Sequence, residues 1–185
     1  GVWALKETTT GTKNVGVGNY SLRYNTTGKY NVALGDTALL GHATNELTGN
    51  DNIGIGRKAG GAGVGSSEGA AGMTTATRNI FMGEKAGFRT TTADNNIGIG
   101  SHSISDYLFT GDGNTCLGVS SGRALTSGDN NVIIGFNAGY AGTQNLESGD
   151  NNVLIGYNAR VDLYNGDNQI VIGNSAIGKG NDIVV

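Results

Sequence analysis

Asn131-Val132-Ile133-Ile134-Gly135-Phe136-Asn137-Ala138-Gly139 is the stretch from which the rest of the chain can be read. It runs Asn, apolar, variable, apolar, Gly, with Ala or Ser three places further on. The unit occurs nine times, starting at Asn14, Asn31, Asn52, Asn79, Asn96, Asn114, Asn131, Asn152 and Gln169. Successive starts lie 17, 21, 27, 17, 18, 17, 21 and 17 residues apart. A base period of 17 with occasional additions marks a solenoid, in which each repeat is one coil and extra residues bulge from one edge. The expected fold is all-β, a parallel β-solenoid or β-roll of about nine coils.

Within the unit the apolar residues alternate. The first and third positions after the Asn are Val15/Val17, Val32/Leu34, Ile53/Ile55, Ile80/Met82, Ile97/Ile99, Thr115/Leu117, Val132/Ile134, Val153/Ile155 and Ile170/Ile172. A period of two with β-branched bias predicts a short strand with both residues on one face. These pairs are expected to form the core ladder. The following Gly suits a turn or a close backbone approach. The Ala or Ser beyond it (Ser21, Ala38, Ala59, Ala86, Ser103, Ser121, Ala138, Ala159, Ala176) is expected to point inward on the return strand.

The second position reads Gly16, Ala33, Gly54, Phe81, Gly98, Cys116, Ile133, Leu154 and Val171. From Cys116 onward this face is apolar too, and a strand apolar on both faces is buried on both. A thin coil does not cover its own outside. Cys116, Ile133, Leu154 and Val171 are therefore expected to meet another copy of the chain, or a flanking segment.

Polar links rich in Asn, Asp and Gly precede the units, among them Ser127-Gly128-Asp129-Asn130 and Ser148-Gly149-Asp150-Asn151. Such residues tolerate left-handed backbone and bond their own main chain, as tight corners require. Stacked Asn side chains are expected to form a ladder along the rod. Insertions at 40–47, 61–78 and 140–147 fall between the return strand and the corner, so they share one edge, an edge that often binds ligands in repeat proteins. The low-complexity run 61–72 reads either as a loop or as a degenerate coil with Val64 in the ladder. The layout is then an N-terminal connector (1–13), the repeat array (14–178) and a C-terminal end (179–185).

Composition narrows the function. The chain has 34 Gly, no Pro and 15% charged residues, against roughly 25% charged in an ordinary soluble domain. A net charge of −3 provides no general basic footprint for nucleic acid or anionic lipid. No run approaches the ~20 apolar residues of a membrane-spanning helix. With Cys116 as the single cysteine there is no intrachain disulfide, and a cysteine-based zinc site is not expected.

Catalytic and metal motifs are weak. The acidic corners invite calcium, but the 17-residue period is not that of a calcium-binding nonapeptide, and turn building is the simpler reading. His42 and His102 lie in different coils without a carboxylate at catalytic spacing. Glycoside hydrolysis needs two carboxylates about 5–9.5 Å apart, and nothing selects a pair among Glu46, Glu68, Glu84, Asp106, Glu147 and Asp162. No enzyme activity, cofactor or metal is expected. Aromatic residues lie mainly outside the ladder, and Phe136 and Tyr157 occupy equivalent places in adjacent coils, where their rings can stack. Tyr and Phe beside Arg and Asn suit a sugar-binding surface, so the binding candidates are Tyr20, Arg23, Tyr24, His42, Arg57, Phe88, Arg89, Tyr107 and Tyr140.

Asn131–Gly139, and Tyr30-Asn31-Val32-Ala33-Leu34-Gly35-Asp36-Thr37-Ala38-Leu39, resemble the repeats of trimeric autotransporter adhesin heads. They resemble still more closely the repeat region of bacteriophage tail fibres and tailspikes. The similarity spans about Asn14 to Ile177. In those phage proteins the array often precedes an endosialidase-type intramolecular chaperone that trimerises the chain and cleaves itself off. The chaperone's Ser-Asp-x-Arg start is absent here, and 179–185 is where such a cut would fall. The 27-residue step from Asn52 to Asn79 departs from the family spacing. The resemblance implies a homotrimer, intertwined or side by side, in a virion tail fibre or spike outside the cell. Its partners would be itself, other tail proteins, and a host surface glycan or outer-membrane receptor. Rival expectations are a plain structural shaft, a polysaccharide-degrading spike and a bacterial adhesin head.

Overall fold

A computed structural model of the chain describes residues 1–44, 46–61, 72–140, 145–182 and 184. Nine three-residue strands follow one another: β1 (Val15–Val17), β2 (Val32–Leu34), β3 (Ile53–Ile55), β4 (Ile80–Met82), β5 (Ile97–Ile99), β6 (Thr115–Leu117), β7 (Val132–Ile134), β8 (Val153–Ile155) and β9 (Ile170–Ile172). They form one parallel sheet in sequence order. Each unit pairs with the next in register, Val132 with Val153 and Ile133 with Leu154, for example. The fold is a parallel β-solenoid of about eight turns, and no helix occurs among the described residues. At about 4.8 Å per strand the sheet is roughly 40 Å long.

The side chains face the other way from the sequence expectation. The second strand position is the inner one: Ala33, Phe81, Cys116, Ile133, Leu154 and Val171 are fully buried within the single chain. The expected contact of Cys116, Ile133, Leu154 and Val171 with a sister chain is therefore wrong, because the coil itself encloses them. The expected core ladder is instead the outer face, where Val15, Val17, Leu34, Met82, Ile99, Ile170 and Ile172 are exposed and the other partners half-buried. Alternation establishes that the first and third positions share a face, but not which face is inside. Coil width decides. The interior holds one strand side chain per rung, opposite the inward Ala or Ser, which are buried as expected at Ala38, Ala59, Ala86, Ser103, Ser121, Ala138 and Ala159 but lie outside any strand, not on the return strand expected.

That interior is filled by size compensation. Directly after the inward Ser or Ala, the chain contributes Leu22, Leu39 and Ile104 where the strand offers Gly16, Ala33 and Gly98. Where the strand offers Phe81, Cys116 or Ile133, the same column is Gly87, Gly122 or Gly139. A Cβ on Gly122 would lie 2.6 Å from Cys116 Sγ, and one on Gly54 would lie 2.7 Å from Leu39 Cγ. The insertions add Leu47, Met73 and Leu146 to the same core.

The Gly after each strand is compulsory. Gly118 has φ +133°, and a Cβ there would sit 2.6 Å from the Gly135 carbonyl oxygen in the next coil. The expected Asn ladder is present. Asn152 donates its backbone N–H (2.9 Å) and its Nδ2–H (3.0 Å) to Asn131 Oδ1, and Nδ2 also reaches the Gly166 carbonyl at 2.8 Å. The corner acids do similar work: the N–H groups of Asp94, Asp112, Asp129 and Asp150 each donate to the next coil's Asp Oδ1 at 2.7–2.8 Å.

Residues 1–13 continue this stack rather than leading away from it. Leu5 N–H donates to Ser21 O at 3.0 Å and Glu7 N–H to Arg23 O at 2.9 Å, one coil apart. Val184 likewise pairs with Ile170. The expectation of a loop or degenerate coil around Val64 falls outside the described residues.

Candidate functional site

In each coil the chain leaves its strand through Gly and makes a left-handed turn along the insertion edge. Lys58, Lys85, His102, Ser120 and Asn137 occupy the same register there with φ of 62°, 55°, 57°, 57° and 53°. Non-Gly residues rarely adopt such values. Because the value repeats down the stack, it is a property of the coil and not a mark of function.

Between β4 and the coil after β6 this edge encloses a cleft of about 190 Å³, lined by Lys85, Phe88, Arg89, His102, Ser105, Asp106 and Arg123. The turn after β4 supplies Lys85, Phe88 and Arg89. The turn after β5 supplies His102, Ser105 and Asp106, and the turn after β6 supplies Arg123. Arg123 Nε lies 2.7 Å from Asp106 Oδ2, and Arg89 Nη1 donates to the Asp106 carbonyl at 3.3 Å. Ser105 Oγ donates to the His102 carbonyl at 3.0 Å. The Nε of Arg89 is buried with no hydrogen-bond partner. His102 Nδ1 sits 2.9 Å from Ser101 Oγ. Its pKa is lowered from the usual histidine value by burial first, then by Arg123 and Lys85, against the opposing pull of Glu84 and Asp106. The imidazole is therefore neutral at pH 7.

The nine sequence candidates do not converge on one site. Phe88 and Arg89 line the cleft. Tyr140 borders it, with the Arg123 guanidinium 5.0 Å from its ring centre. Tyr107 is exposed and adjoins Asp106 in the chain. Tyr20, Arg23 and Tyr24 gather elsewhere, at the first coil. There the Arg23 guanidinium lies 4.3 Å from the Trp3 ring, 5.2 Å from Tyr20 and 4.7 Å from Tyr24. Arg57 pairs with Glu84 one coil on. His42 stays within its own insertion, with Nδ1 2.9 Å from Thr44 Oγ1. Phe136 and Tyr157 stack as expected, 5.6 Å apart and 8° from parallel.

No protein-family model, curated protein or solved structure matches this chain. Lys85, Ser105 and Arg123 are not among the sequence candidates, and His102 and Asp106 are considered there only for catalysis. Counting from each Asn would have grouped them: Lys85 and His102 are six places on, Phe88, Ser105 and Arg123 nine, Arg89 and Asp106 ten. Among the described residues no group of His, Cys, Asp or Glu is placed to hold a metal ion.

Proposed function

We propose that this chain is a segment of a trimeric phage tail fibre or spike that binds a glycan on a host bacterial surface through its insertion edge. The cleft of Lys85, Phe88, Arg89, His102, Asp106 and Arg123 carries the reading. It gathers charged N–H donors, an imidazole and the Ser105 hydroxyl beside the buried Phe88 ring, on the edge that also bears the insertions. Its volume is small beside the ~300–1,000 Å³ of pockets for drug-sized ligands, which suits one sugar ring of a longer chain. Binding is favoured over hydrolysis because Asp106 is the one carboxylate among the lining residues and is engaged by Arg123, whereas glycosidases use two. The phage assignment rests on the repeat resemblance alone.

The outer sheet face is the surface proposed to join the chains of the trimer. Nine pairs of mainly β-branched residues, extended by Val119, Phe136 and Tyr157, make an apolar strip roughly 40 Å long. Monomeric proteins rarely leave so large a patch uncovered, and a strip of this length is on the order of the ~800 Å² per partner in a standard interface. The functional test is saturable binding of the labelled protein to host envelope polysaccharide. Binding that is lost in Arg89→Ala with the fold intact supports the reading. Absence of saturable binding, or binding untouched by cleft substitutions, removes it.

A further inference from the structure

We infer that the cleft recognises an acidic sugar, through a carboxylate seated between Lys85, Arg89 and Arg123. This rests on the glycan-binding reading of the same cleft and adds the chemical class of the ring. The cleft holds three fixed cations against one carboxylate, although the chain as a whole carries −3. Asp106 is already held by Arg123 at 2.7 Å. The Arg89 Nε–H is left without an acceptor. Among the described residues no carboxylate pairs with Lys85, whose ammonium instead lies 5.6 Å from the Phe88 ring centre. A partly enclosed cleft with more cations than carboxylates favours an anionic acceptor over a neutral hydroxyl, because bonds between charged groups are shorter and stronger.

His102 makes the binding pH-dependent. The groups facing it are Arg123, Lys85, Glu84 and Asp106, and the two cations together with burial keep it neutral. A bound carboxylate offsets those cations and favours the imidazolium. Ligand and proton therefore bind cooperatively, and affinity rises as pH falls through the histidine range.

The test is calorimetric titration of the full chain with sodium glucuronate, glucose and inorganic phosphate at constant ionic strength, at about pH 6 and about pH 8. Glucuronate is expected to bind at least ~10-fold more tightly than glucose, and several-fold more tightly at the acid pH. Lys85→Gln and Arg89→Gln are each expected to weaken it about 5-fold with unchanged circular dichroism. The His102 proton resonance is expected to titrate at higher pH when glucuronate is present. Equal binding of glucose and glucuronate overturns the acidic-sugar inference while leaving sugar binding intact. Phosphate matching glucuronate supports an anion site but withdraws support from the glycan reading. If none of the three binds, or the His102 midpoint does not move, the inference fails.

Discussion

At the scale of single residues, the ladder Asn carries the most structural burden per atom. Asn131 accepts two bonds from Asn152 at 2.9 and 3.0 Å and donates to Asn114 Oδ1 and Gly149 O, both at 2.9 Å. Removing a partner from a buried polar group costs about 1–3 kcal/mol. Asn131→Ala is therefore expected to lower stability by roughly 3–5 kcal/mol in urea denaturation; a loss under ~1 kcal/mol would contradict the ladder's role. Gln169 ends the ladder with a side chain one methylene longer, and its Nε2 and Oε1 are buried without partners. Gln169→Asn should raise the melting temperature by a few degrees. Cys116 is fully buried and its thiol pKa is pushed far up by desolvation. A raised pKa keeps it protonated at neutral pH, so thiol-reactive dyes should label the folded protein very slowly and the urea-unfolded protein at the rate of a model thiol. Conversely, stability should fall as pH rises above the unfolded thiol value of 9.0.

At the scale of the element, each three-residue strand divides its labour between two surfaces. Leu154 lies inside the coil, whereas its neighbours Val153 and Ile155 face outward. Leu154→Asp should unfold the chain, because it buries a charge with nothing to pair it. Ile155→Asp should preserve the solenoid's circular dichroism and act only on self-association. If the two substitutions had the same effect, the assignment of faces would be wrong. Strand positions, the Gly turn, the inward Ala column and the Asn ladder were all legible in the sequence, since each depends on local backbone geometry repeated nine times. The direction of each strand face was not. It depends on how much room the coil leaves, and thus on pairs such as Phe81 with Gly87 that are set by the closed turn.

At the scale of the whole molecule, the roughly 40 Å sheet leaves an apolar strip on one side and a cationic cleft on the insertion edge. The strip predicts self-association. Light scattering is expected to give about 56 kDa, three chains of 18.8 kDa, and Ile155→Asp should shift the mass toward one chain. A wild-type mass of about 19 kDa, one chain, would leave Val132, Ile134, Val153 and Ile155 without cover and end the trimer proposal.

The nine-fold repetition by itself determined that this chain coils, where each rung begins, and which edge carries the insertions. Those properties follow from backbone requirements that recur at a constant interval. Only the tertiary structure decided which apolar column is core and which is surface, because both have the same period and differ only in the space available. It also decided that Lys85, Arg89, His102 and Arg123 share a cleft. They belong to three successive coils, and no local pattern brings residues 38 positions apart together; stacking does, by placing equal registers one above another.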